Sequence, residues 1–185
     1  FYCHSSKKEL SGTGAFDYIK WGERQGFHEV TSVKGHRPYW YSLHGEAVDY
    51  LILRFWDRRF WTPIAQEEIY CSDNFFYGKA NLPDEKIILN GLLNCTFYLF
   101  QIEILGRTNQ GQGVLTTYGP DLRHLLIPNP SLFDKNEIEW AFCKISKREV
   151  LSIFDEVQRE DRQELDNIVF DQLKLTKGER QAVYE

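Results

Sequence analysis

The stretch Ile87 to Leu105, IILNGLLNCTFYLFQIEIL, decides the fold. Apolar residues recur at Ile88, Leu92 and Leu99 and again at Leu89, Leu93, Phe97, Phe100 and Ile104. Two interleaved stripes at helical spacing predict a helix buried on most of its circumference, the spine of a domain. Leu82-Pro83-Asp84-Glu85 suits its start, because proline is tolerated in a first turn and acidic side chains complement the helix dipole. Gly106 suits its stop. Asn90, Asn94, Gln101 and Glu103 interrupt the apolar run, so it reads as a core helix and no membrane partner is expected.

Upstream, Tyr39–Leu43, Tyr50–Trp56, Phe60–Ile64 and Ile69–Tyr77 are rich in aromatic and β-branched residues, which predicts strands. Asp57-Arg58-Arg59 fits a tight hairpin tip between two of them. Residues 1–38 are polar and glycine-punctuated, which predicts loops. Downstream of the spine, a glycine-rich connection runs from Gly106 to Gly119, Asp121 opens a short turn, and Leu125-Leu126-Ile127 reads as a brief buried strand closed by Pro128-Asn129-Pro130. Ser146–Glu149 and Thr176–Glu179 both match the capping-box spacing, and Leu165, Ile168, Val169, Leu173 and Leu175 form a docking stripe. The expected class is α+β: a twisted, mainly antiparallel β-sheet packed on a buried helix, with a helical C-terminal tail. The expected division is a domain over 1–130 and a helical annex over 131–185.

The net charge of −5 argues against a nucleic-acid partner, but its distribution softens the objection. Residues 1–60 carry nine Lys/Arg against seven Asp/Glu, whereas residues 131–185 carry nine against thirteen. No early basic segment leads into an apolar run, so no signal peptide is expected. Cys3, Cys71, Cys95 and Cys143 form no C-x-x-C pair, which favours a reduced, cytoplasmic chain without structural zinc. The absence of Met and the start at Phe1-Tyr2-Cys3-His4 predict a piece of a longer protein.

Several motifs invite a catalytic reading and decline it. Ser11-Gly12-Thr13-Gly14-Ala15-Phe16 resembles a glycine turn for S-adenosylmethionine, but the polar Ser5–Leu10 before it cannot be the buried strand that such a turn needs. The histidines at 4, 28, 36, 44 and 124 lack metal-ligand spacing. No E-x-K stands at a strand end to hold magnesium for a nuclease. The basic-aromatic run Arg54-Phe55-Trp56-Asp57-Arg58-Arg59-Phe60-Trp61 has two readings. It is either a hairpin with inward aromatics and solvated arginines, or a surface whose guanidinium forks meet phosphates and guanine edges. Lys34-Gly35-His36-Arg37 offers a second basic loop of the same kind.

Asn90-Gly91-Leu92-Leu93-Asn94-Cys95-Thr96-Phe97 resembles a helix of the target-recognition domains of N6-adenine-specific DNA methyltransferases. These are the single-chain enzymes similar to the TaqI methyltransferase and the specificity subunits of type I restriction systems. The likeness continues through Gly106-Arg107-Thr108-Asn109, Gly111-Gln112-Gly113-Val114-Leu115, Asp121-Leu122 and Leu126-Ile127-Pro128-Asn129-Pro130. It then resumes at Leu165–Asp171 and Leu175-Thr176; Cys95 stands where serine is usual. The resemblance implies sequence-specific binding of double-stranded DNA by a chain with no catalytic residues and no cofactor of its own. The parent would be a site-specific, adenine-specific methyltransferase of a restriction-modification system. An N-terminal methyltransferase module of that same protein would bind S-adenosylmethionine, flip the adenine and transfer the methyl group. That division agrees with the lack of an Asp/Asn-Pro-Pro-Tyr/Phe motif, since Pro128-Asn129-Pro130 splits its prolines. The expected DNA-binding residues are Lys34, His36, Arg37, Arg54, Arg58 and Arg59, with Arg107, Asn109 and Gln112 positioning the backbone; against this, Arg107 could simply pair with Glu103 one helical turn earlier. The rival expectation is an assembly domain that docks a methylase or restriction partner and touches no DNA.

Overall fold

The computed structural model describes residues 3–43, 45–72, 74–108 and 113–185. They form two compact units, Phe1–Glu46 and Ala47–Glu185. The helices beyond residue 130 pack as part of the larger unit.

The smaller unit is helical where loops were expected. Helix α1 (Gly14–Arg24) starts because the Thr13 hydroxyl accepts the Phe16 amide proton, and Asp17 and Arg24 sit at the dipole ends that suit their charges. Bends and turns, not a strand, lead into it. Gly26, at φ +80°, turns the chain into a 3₁₀ segment (Phe27–Glu29) and then α2 (Thr31–Lys34). The strand expected at Tyr39–Leu43 is absent. Ser42 N–H turns back to Tyr39 O, while the Tyr41 and Ser42 hydroxyls donate to the carbonyls of Ser5 and Cys3.

In the larger unit, β1 (Val48–Leu53) is the centre of an antiparallel sheet between β3 (Ile64–Ile69) and β4 (Phe75–Gly78), in register Leu51 to Tyr77 and Leu53 to Phe75. A second, two-stranded ribbon pairs β2 (Phe55–Trp56) with β5 (Leu115–Thr116). Because β2 pairs with β5, 60 residues away, Asp57-Arg58-Arg59 is not a hairpin tip and Phe60–Trp61 lies outside any strand. The architecture is α+β, as the sequence predicts.

The spine is broken. Helix α3 (Pro83–Leu92) and helix α4 (Thr96–Leu105) meet at a bend of 68°. Cys95 is extended there (φ −74°, ψ 155°) and caps α4. The break is held by side chains from elsewhere. Asn94 Oδ1 accepts the Thr62 amide at 2.8 Å, and Asn94 Nδ2 donates to Thr62 O at 3.2 Å. The Asp166 carboxylate accepts the Thr96 amide at 2.7 Å and its hydroxyl at 2.6 Å. After the short helix α5 (Gly119–Leu122), helix α6 (Lys135–Ser146) packs on α3, where Gly91 lets Ile138 approach; after the short α7 (Ile153–Glu156), α8 (Glu160–Gln172) brings Leu165 and Val169 into the same core as Leu92, Leu99 and Ile102. Among the described residues, no single helix is long and apolar enough to cross a membrane.

Other expectations need correction. Leu125–Ile127 is no buried strand: Leu126 is 69% exposed, and its backbone is held by the Gln101 amide. Ser146 ends α6 rather than starting a helix, whereas Thr176 and Glu179 do form the capping box of α9 (Lys177–Tyr184).

Candidate nucleic-acid interface

The β2–β5 ribbon brings together Arg54 and Arg107. Thr117 clamps its start: its amide donates to Arg54 O at 3.0 Å, its hydroxyl donates to Leu53 O at 3.0 Å, and it accepts from the Trp56 indole at 3.2 Å. Trp56 is thereby buried while Phe55, on the opposite face, is 45% exposed. Arg107 extends the ribbon by an antiparallel bridge to Thr116.

Two guanidinium groups converge on one ring here. The Arg54 guanidinium carbon lies 5.9 Å from the Tyr118 ring centre and 6.0 Å from that of Phe55, and that of Arg107 lies 5.4 Å from Tyr118. Such cation–π approaches hold arginines over an aromatic face. Arg107 is further fixed by Asp121, whose Oδ1 accepts from it at 2.7 Å while Oδ2 accepts the Tyr118 amide at 3.2 Å. The expected Arg107–Glu103 pair thus gives way to Arg107–Asp121, because the chain turns out of helical geometry at Gly106 and places Arg107 opposite Thr116. Arg54 has no such carboxylate among the described residues. It makes no ion pair among them, and its buried Nε lacks an acceptor.

The remaining residues divide. Arg58 is exposed and lines a depression of about 230 Å³ with Trp56, Thr108, Gly113 and Phe154, while its carbonyl accepts the Ile153 amide. Arg59 forms an exposed pair with Glu149 at 2.9 Å. Asn109 and Gln112 lie outside the described residues. Lys34, His36 and Arg37 belong to the smaller unit. There Lys34 faces Glu29 at 3.7 Å, Arg37 donates to the carbonyls of Gly35 and His36, and the buried Nδ1 of His36 has no partner among the described residues. Sequence reasoning missed Tyr118 and Asp121 as parts of the site; the available signal was an aromatic residue immediately before Gly119-Pro120-Asp121, a helix start.

A second charged cluster is structural. Glu156 and Arg162 are both fully buried and paired at 3.0 Å, and Arg148 bridges Glu156 and Asp161, each at 2.6 Å. Arg162 also donates to Asn94 O at the helix break. Burial pushes Glu156 upward, but the guanidinium groups of Arg148 and Arg162 and the Leu151 amide overcome it, leaving the carboxyl below its ordinary range. Asp166 goes the other way: complete burial raises it despite Arg162 and its hydrogen bonds from Thr96 and Tyr184. Cys95 is buried and its thiol is pushed up to about 12. Among the described residues, no group of three or more His, Cys, Asp or Glu is placed to hold a metal ion.

The chain thus has a mixed α+β core with an arginine-bearing ribbon on its surface. No family model, curated protein or solved structure matches it.

Proposed function

We propose that the chain is the double-stranded-DNA recognition domain of an adenine-specific methyltransferase of a restriction-modification system. It lacks the catalytic module, which would lie N-terminal in the same protein and use S-adenosylmethionine. The motif order from Asn90 to Thr176 supports the family reading. The observation that carries the DNA reading is the convergence of Arg54 and Arg107 on Tyr118, with Arg54 left without an acid partner among the described residues. Phosphate oxygens satisfy such a donor, and neutralising them releases counterions. The test is a mobility-shift titration of the whole chain against a duplex library with a randomised centre. Binding that weakens steeply with salt and is lost in the combined Arg54→Glu, Arg58→Glu and Arg59→Glu variant supports the proposal; salt-independent binding, or none, overturns it.

One observation favours the assembly reading. Phe154 is 79% exposed and Ile104 62% exposed beside a groove of about 360 Å³ between α4 and the C-terminal helices. Exposed apolar surface of this kind marks protein contacts. Under that reading the triple charge reversal leaves partner assembly and target choice intact.

A further inference from the structure

The smaller unit holds a cavity that the DNA reading does not use. It measures about 180 Å³ and is walled by α1, the 3₁₀ segment and the Trp40–Leu43 turn. Its aromatic walls are Tyr18, Trp21, Phe27, Trp40 and Tyr41, with Ile19 and Val33 among the aliphatic ones. The rings are ordered against one another: Tyr18 stacks on Trp21 at 5.6 Å, and Trp21 meets Phe27 edge-on at 5.4 Å. Glycine at position 22 lets the Trp40 wall lie close on α1, since a Cβ there would come within 2.9 Å of the Trp40 ring.

Two polar groups of the wall are turned to other tasks, while His36 also lines the cavity and its buried Nδ1 has no partner among the described residues. The Trp40 indole N–H donates to Glu23 at 3.2 Å, and the Tyr41 hydroxyl donates to Ser5 O at 2.9 Å. Among the described residues, no carboxylate, lysine or arginine lines the cavity. Carbon and ring faces therefore dominate what an occupant would meet. A carboxylate or ammonium group would lose its hydration there against, at most, the single imidazole of His36. The volume suits one small ring, because an engineered apolar cavity of about 150 Å³ in another protein takes up benzene. A drug-sized ligand needs a pocket of about 300 Å³ or more.

We propose that this cavity is a binding site for a single uncharged aromatic ring of about indole size. Stacking on Trp21 and Trp40 and edge contacts with Phe27 hold the ring, and the mainly apolar wall, with His36 its one imidazole, selects against ionised analogues. The ring can arrive as a free small molecule or as the side chain of a blocked amino acid.

The test is a titration of the whole chain, followed by the methyl resonances of Ile19 and Val33, with indole, N-acetyltryptophanamide and benzoate as probes. Saturable shifts with indole, at least tenfold weaker ones with benzoate, and loss of the indole response in Val33→Phe are expected. Gly22→Ala, which displaces Trp40, is expected to weaken indole at least fivefold, and it keeps the test open should Val33→Phe not fold. A response to indole alone assigns a free ring as the occupant, and an equal response to the blocked amide assigns a side chain. No saturable shift, equal binding of benzoate, or an indole response unchanged in both variants overturns the proposal.

Discussion

The carboxylate of Asp166 closes on Thr96 from 70 residues away, one oxygen accepting the backbone amide at 2.7 Å and the other the side-chain hydroxyl at 2.6 Å. It thereby acts as the missing cap of α4, whose N-cap residue, Cys95, offers no side-chain acceptor of its own. Tyr184 donates a third hydrogen bond to the same carboxylate at 3.0 Å, so the last helix is tied to the same point.

Asp166→Ala is expected to destabilise the chain by about 2–4 kcal/mol, because it leaves the Thr96 amide and two hydroxyls buried without an acceptor. Asp166→Asn keeps one acceptor and should cost less. Urea unfolding followed by circular dichroism checks the order; equal midpoints for wild type and Asp166→Ala would refute the capping role.

Acid should weaken the fold through Glu156 and Asp161. Both carboxyls are held below their ordinary values of 4.5 and 3.8. Their contribution is complete above those values and is lost as pH falls through the lower, folded-state ones. Asp166 has the opposite sign. Its raised pKa adds stability in acid, which fades as pH rises through the folded value. Unfolding free energies from pH 7 to pH 3 should therefore fall less steeply in Glu156→Gln and more steeply in Asp166→Asn than in the wild type.

Arg54 and Arg59 should differ in their effect on duplex DNA. Arg54→Ala is expected to weaken binding about tenfold and to reduce the slope of log affinity against log salt by about one. Arg59 already spends its charge on Glu149 at the surface, so Arg59→Ala should change affinity by less than about twofold. A salt-series filter-binding assay distinguishes them, and identical losses would count against the placement of the interface at Tyr118.

Two helical glycines should respond with opposite signs. A Cβ at Gly91 would lie 2.5 Å from Ile138 Cγ2 and 3.3 Å from Leu165, whereas one at Gly178 meets nothing within 4 Å. Gly91→Ala is expected to cost about 1–3 kcal/mol through overpacking. Gly178→Ala should gain about 0.5–1 kcal/mol from helix propensity alone. Thermal denaturation of the two variants checks both.

What the sequence made legible follows the range of the interaction. A strand could be read at Tyr50–Trp56, overlapping the observed Val48–Leu53, because its β-branched and aromatic residues act locally, and the Thr176–Glu179 box because both partners lie within one turn. Ser146–Glu149 has the same spacing, yet Ser146 is consumed as the end of a helix begun by the Asp134 cap. The break at Cys95 was hidden because the apolar spacing of the sequence runs through it at helical period, and its causes, Thr62, Arg162 and Asp166, lie far along the chain. In the candidate site, Arg54 was visible as part of a basic-aromatic run, but the pairing of Arg107 with Asp121 depends on the chain's turn at Gly106. The wall of the small aromatic cavity was equally hidden, since residues expected to be loops form two helices there.

The bent spine also dictates an order of events during synthesis. A chain leaving the ribosome amino end first makes α3 and α4 well before Asp166, Arg162 and Tyr184 exist to lock the bend between them. Until α8 and α9 emerge, Leu92, Leu99 and Ile102 have no finished core to enter, and the nascent chain presents a greasy, uncapped helix pair to its surroundings. A chain truncated before Glu160 lacks Arg162, Leu165 and Asp166 and should therefore expose the apolar faces of α3 and α4.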